Sequence, residues 1–193
     1  MKTVCFATSN KEKMIIAQTV CSQFNINVVQ ASIDIDEIQS EDPLNIIHDK
    51  VRRAFEVLSI PVVVSDDSWD IPALNGFPGP YIKSINQWFH ADDFLRLMKG
   101  VKDRTIILHQ LLAYYDGNTM KVFSNDIHGK VINESRGKND RSPNMSVIVL
   151  EHDNGKSIAE VFEQGEKVVN DRYMTRPDAW HEFVEWYISE VKI

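Results

Sequence analysis

Cysteine is nearly absent. The 193 residues contain two, Cys5 and Cys21, at a spacing that matches no metal-binding or paired-thiol motif. A disulfide framework and a structural zinc site are thereby excluded, and both thiols are expected free in the core of a cytoplasmic protein. Excess positive charge is also missing, since 21 Lys and Arg stand against 28 Asp and Glu for a formal net charge of −7. Such a chain has no basic footprint for a nucleic-acid backbone, which excludes polymeric DNA or RNA. Any nucleotide partner is then a small molecule held by local lysines and metal. No run approaches the roughly 18 apolar residues of a membrane span, and the apolar stretch after Lys2 is too short for a secretory signal, so no membrane partner is expected. Repeats and low-complexity segments are absent too. What remains is a chain whose 43% hydrophobic content over 193 residues suffices for one sizeable core, hence a single domain spanning residues 1–193.

The chemistry is concentrated between Val62 and Lys83. A three-valine run after Pro61 reads as a buried strand too short for a helix. Asp66 and Asp67 follow at its end, where a carboxylate pair is well placed to hold a hard divalent cation, with Mg2+ the natural choice. Gly76-Phe-Pro-Gly-Pro80 then forces a tight loop that brings Lys83 toward whatever the carboxylates hold.

The remaining elements follow from periodicity and turn chemistry. Strands are expected over Thr3–Ala7 and Ile26–Gln30, with helices from Lys11 to about Phe24 and from Pro43 through Leu58. A short helix over Ala91–Gly100 precedes long strands Thr105–Tyr115 and Met120–Ile132, joined at Asp116-Gly-Asn118. A second strand pair is expected over Met145–Glu151 and Ser157–Phe162, then a C-terminal helix Ala179–Val191 whose aromatic residues pack. At the first helix, free N–H groups and Lys11 and Lys13 suit a phosphate, and Ser9 or Asn10 can equally act as a cap. Helices early and hairpins late argue for an α/β protein with a mixed sheet.

Val64-Ser-Asp-Asp-Ser68, Ala73-Leu-Asn-Gly76 and Phe77-Pro-Gly-Pro-Tyr-Ile-Lys83 together resemble the central signature of the inosine triphosphate pyrophosphatase, or Ham1, family. Two further motifs resemble it as well: Phe6-Ala-Thr-Ser-Asn-Lys-Glu-Lys13, and the acidic segment Ile33–Gln39 followed by Lys50. The resemblance implies an elongated mixed sheet with flanking helices, in two lobes with the active cleft between them, and a homodimer. It implies an Mg2+-dependent hydrolase that cuts ITP, XTP or dITP to the monophosphate and pyrophosphate. By the same resemblance, Glu37, Asp66 and Asp67 are the metal ligands, Asp67 and Lys13 are catalytic, and Thr8, Ser9, Asn10, Lys13, Lys50, Ser68, Lys83, Lys167 and Arg172 bind substrate.

The base-reading half departs from the family pattern. After Arg136-Gly137 comes Lys138-Asn-Asp-Arg-Ser-Pro-Asn-Met145, where the family carries an aromatic-Asp-Pro segment that holds the purine. Asn170-Asp171-Arg172 replaces its Ser-His-Arg, and Trp69 stands where it has glycine. Altered base recognition is therefore expected, with Trp69 or Trp88 as substitute platforms. The alternative reading is a divergent paralogue that binds a nucleotide, or another phosphorylated ligand, without turnover.

Overall fold

The valine run is the start of a much longer strand. In the computed structural model, which describes residues 2–140, 142–174 and 178–191, β3 runs over Val62–Ile71 and carries Asp66 and Asp67 in its interior rather than at its end. Before it come β1 (Lys2–Ala7), α1 (Lys11–Ser22), β2 (Ile26–Ala31) and α2 (Pro43–Leu58). After it come β4 (Phe77–Gly79), α3 (Ile82–Trp88), α4 (Ala91–Leu97), β5 (Thr105–Tyr115), β6 (Met120–Val131) and β7 (Ile148–Leu150). Helices α5 (Ile158–Glu163), α6 (Glu166–Met174) and α7 (Ala179–Glu190) complete the chain. The strands form a seven-stranded sheet in the order β2-β1-β3-β5-β6-β7, with β4 paired to β3. The sheet is mixed, because β1 pairs parallel with β2 and β3 whereas β3–β4 and β6–β7 are antiparallel.

Two compact units divide the chain, one of Met1–Asp66, Gln110–Asn125 and Asn170–Ile193, the other of Asp67–His109 and Asp126–Val169. In the first unit the sheet is covered on both faces. Val63 lies with Phe6, Leu112 and Phe123 against α1 and α7, while Val62 and Val64 lie with Leu111 and Ala113 against Ile47, Val51 and Ala54 of α2. The alternation is what a pleated strand requires, and burial on both faces is why the run is all valine. Phe183 of α7 is fully buried there, and Phe6 meets Trp180 edge to face at 4.9 Å. In the second unit, Trp69 and Ile71 of β3 pack with Ile106, Leu108 and Val131 under Phe94 of α4 and Ile158 of α5. The indole of Trp69 is only 6% exposed, so it is part of this core and offers no ring face for stacking.

One expected strand is a helix. The sequence predicts a hairpin strand over Ser157–Phe162, but Ser157 Oγ accepts from the Glu160 N–H at 3.1 Å and Glu160 Oε2 accepts from the Ser157 N–H at 2.7 Å. This reciprocal capping box starts α5 and outweighs the turn signal at Asp153-Asn-Gly155. Its expected partner keeps only Ile148–Leu150 as strand, because Pro143–Ser146 forms a 3-10 turn. Helices α3 and α6 were not anticipated, and α1 stops at Ser22, which leaves Phe24 exposed. Among the described residues, no helix is long and apolar enough to cross a membrane.

Gly137 sits at φ +70°, where a Cβ would lie 2.7 Å from the Glu160 nitrogen and 3.0 Å from Ala159. Gly137→Ala is expected to cost roughly 2–4 kcal/mol, from left-handed strain plus overpacking; an unchanged thermal midpoint would refute this account. Both cysteines are free. Burial, reinforced by Asp178, pushes the Cys21 thiol up to about 12, and Cys5 is less buried. Alkylation of the native protein near pH 8, followed by mass spectrometry, should therefore modify Cys5 and spare Cys21.

Candidate functional site

The first unit gathers three of the expected residues. Asp66 has the parity of Val62 and Val64, so it emerges on the face of β3 that α2 covers, and Lys50 of α2 meets it there. Lys50 Nζ donates to Glu37 Oε1 at 2.6 Å and to the carbonyl of Ser65 at 3.2 Å, and lies 3.8 Å from Asp66 Oδ1. The Lys50 side chain is 16% exposed, against 39% for Glu37 and 21% for Asp66. Two carboxylates from different parts of the chain thus address one cationic position. The contact to Ser65 uses a backbone oxygen, for which the sequence carries no signal.

Local structure explains the placement of each group. Asp42 caps α2 by accepting from the Leu44 N–H at 2.9 Å, and Pro43 occupies its first turn. The segment before that cap has no regular structure, which lets Glu37 reach back to α2.

At α1, Asn10 Oδ1 accepts from the N–H groups of Glu12 at 2.8 Å and Lys13 at 3.2 Å. Those two donors are therefore committed to the cap, while Ser9 and Lys11 are exposed at this end and Lys13 is partly buried. Thr8 Oγ1 accepts from the Asn10 N–H at 3.1 Å, and the Thr8 carbonyl accepts from Gln30 at 2.8 Å, so this turn is tied at both ends.

In the second unit, Asp67 shares the parity of Trp69 and Ile71, opposite to Asp66. Ser68 is buried at 3% exposure, and Lys83 is exposed in the first turn of α3. Lys167 is exposed in the first turn of α6, whereas Arg172, half-buried near the end of that helix, belongs to the first unit. The segment over 138–140 and 142–145 is a polar turn. There the Ser142 N–H donates to Asn139 Oδ1 at 3.0 Å and the Lys138 N–H to Glu163 Oε1 at 2.9 Å. Arg141 and the Asn170 side chain lie outside the described residues. Trp88 is 70% exposed on α3.

A polar row that the sequence did not reveal also crosses this unit. His109 Nδ1 of β5 lies 2.7 Å from Asp126 Oδ1 of β6, and its Nε2 lies 4.0 Å from Asp70 Oδ2 of β3. Only strand register could have shown it.

The carboxylates of Glu37, Asp66 and Asp67 have the hard oxygen donors that Mg2+ prefers, and two of them converge on one ammonium. Their chemistry fits such an ion. Among the described residues, no group of three or more His, Cys, Asp or Glu is arranged so that it could hold a metal ion, so waters or phosphate oxygens would have to supply most of the ligands.

The family model described as the Ham1 family matches residues 4–186. A dITP/XTP pyrophosphatase from Methanosarcina mazei is 29% identical over 190 residues, covering 98% of this chain and 99% of that protein. An inosine triphosphate pyrophosphatase from Ajellomyces capsulatus is 30% identical over 134 residues, covering 68% of this chain and 72% of that one. Among solved structures, a HAM1 protein from Coxiella burnetii superposes with a TM-score of 0.77 at 19% identity, covering 99% of this chain and 100% of that one. With motifs, fold and nearly the whole length in agreement, this chain belongs to the Ham1 family.

Proposed function

We propose that the protein hydrolyses purine nucleoside triphosphates of the ITP, XTP and dITP type to the monophosphate and pyrophosphate. The observation that carries this reading is the convergence of Glu37 and Asp66 on Lys50, in a chain similar over almost all its length to a dITP/XTP pyrophosphatase. Cleavage of a phosphoanhydride is governed by positioning and charge neutralisation, so a site built from lysines and carboxylates suits it. Lys13, Lys50 and Lys83 hold the triphosphate, aided by Thr8, Ser9, Asn10 and Ser68, with Lys167 and Arg172 as further cationic contacts. Glu37, Asp66 and Asp67 are the residues proposed to hold Mg2+, which when bound supplies neutralising charge for phosphate oxygens. The protein acts in the cytoplasm as a homodimer, on this reading.

The sequence reading gave the attacking water to Asp67. The local geometry favours Asp66, the carboxylate on the Lys50 face of β3. Lys50 binds Glu37 and the Ser65 carbonyl at the same time, which fixes its ammonium beside Asp66 and so holds that carboxylate in place. Asp66→Asn should lower kcat by about 10²–10⁴-fold, the usual contribution of a general base, and Asp67→Asn by much less. The opposite ranking in steady-state pyrophosphate release returns the role to Asp67.

Base selection is altered in this reading. The polar turn over 138–140 and 142–145 has no ring to stack on a purine, and the Trp69 ring is buried. Stacking contributes roughly 1–3 kcal/mol per base, and its loss weakens binding of any base unless exposed Trp88 replaces it; discrimination falls because hydrogen bonds to the 6-oxo edge are lost as well. We expect kcat/KM for ITP to exceed that for ATP by less than about a hundredfold. A larger ratio in a panel of ITP, XTP, dITP, GTP and ATP would show that the pocket has been rebuilt.

Lys13→Ala and Lys83→Ala should raise KM or abolish turnover while the thermal midpoint holds. A variant that melts early instead assigns that lysine to the fold. If no triphosphate is cleaved although nucleotide still binds, the protein is the non-hydrolysing paralogue.

A further inference from the structure

The second unit holds an open cavity that the proposed phosphate site does not use. Its volume is about 550 Å3, and its walls include three cations, Arg96, Lys99 and Arg104, against one carboxylate, Asp92. In a chain of net charge −7, this concentration of positive charge is a local exception.

Arg104 is held rigidly. Its Nε donates to the Val131 carbonyl at 2.6 Å, Nη1 to Met98 at 2.9 Å and Nη2 to Ile132 at 2.7 Å. A guanidinium has five N–H donors, so two remain. Carbonyl dipoles orient the group without neutralising it, and among the described residues Arg104 has no ion-pair partner. Lys99 likewise has none among them. Arg96 pairs with Asp93 at 2.9 Å, through a side chain that is 75% exposed.

The remaining wall is open to an approaching ligand. Gly100 lies at φ +79°, with nothing within 4 Å of where a Cβ would stand, so backbone is accessible beside Lys99. The carbonyl contacts give Arg104 a structural task, but they leave Lys99 and the spare guanidinium donors unexplained. Lys99 and Arg104 thus line the cavity with positive charge that no carboxylate among the described residues pairs, and an entering anion would neutralise it. A planar guanidinium with two free donors is the group best suited to phosphate oxygens.

We propose that this cavity binds a small phosphate-bearing anion, at a site none of whose lining residues belongs to the proposed catalytic set. The anion is either inorganic pyrophosphate or the phosphate end of a nucleoside monophosphate. The cavity has room for either.

The test is a titration of the full-length protein in EDTA, followed by amide NMR, with sodium pyrophosphate in one arm and inosine monophosphate in the other. Saturable shifts are expected at the amides of Gly100 and Asn133, which also lines the cavity. The double variant Arg96→Glu/Lys99→Glu should weaken binding by on the order of tenfold or more, with the thermal midpoint and nucleotide turnover unchanged. Lys83→Ala should leave the shifts in place. Tighter binding in one arm identifies the source of the phosphate. Absence of saturable shifts at Gly100 and Asn133 in both arms, or an unchanged affinity in the double variant, overturns the site. A protein that cleaves no triphosphate yet shows these shifts overturns the proposed activity and supports the cavity.

Discussion

The burial of β3 is the constraint on which the site depends. Val62, Val63 and Val64 are each 0% exposed, because α2 covers one face of the strand and α1 and α7 the other. A strand buried on both faces must stay apolar for as long as the cover lasts. Asp66 is the first carboxylate beyond that cover, and the continuing strand fixes its backbone through Ile71. The acidic side chain is thereby presented from a rigid element instead of a loop, which holds a reacting group more closely to one geometry.

The Lys50–Glu37–Asp66 cluster adds little to stability, since partly exposed ion pairs are worth on the order of 1 kcal/mol or less. Its value lies in order. Lys50 emerges from a helix whose other face packs Ile47 and Val51, and its ammonium is fixed by a carboxylate and a backbone carbonyl together. Charge positioned before substrate arrives need not be reorganised during the reaction, which is where electrostatic catalysis gains most. Part of that charge is exchangeable, because an incoming phosphate can replace a carboxylate on the Lys50 ammonium and an incoming cation can replace the ammonium on the carboxylates.

The second unit handles polarity differently. Ser157 and Glu160 cap α5 reciprocally, Ser157 also donates to the Arg136 carbonyl at 2.7 Å, and Arg136 reaches the Gly155 carbonyl at 2.8 Å. Gly137 lies against this knot, close enough to Ala159 and Glu160 that any side chain would collide. The Arg136-Gly137 dipeptide therefore has a packing explanation independent of catalysis. Arg104 follows the same habit, tying three carbonyls at the end of α4 and β6 while keeping its charge.

Much was legible in the sequence, and for physical reasons. The valine run, Pro43 behind the Asp42 cap and the Asp116-Gly-Asn118 turn are local signals, and each formed the expected element. The three motifs pointed to a family because local backbone geometry demands particular residues at fixed spacing. Tertiary structure decided the rest. Neither neighbour nor spacing could show that Glu37 reaches Lys50 across 13 positions, or that alternation along β3 sends Asp66 rather than Asp67 toward it. Trp69, which the sequence offers as a substitute platform for the base, is core, because its partners Ile106, Leu108 and Val131 come from strands far along the chain. A capping box of four residues outweighed the hairpin signal beside it. Sequence determines what each segment can form, whereas burial, which sums contributions from distant segments, decides which face each side chain meets.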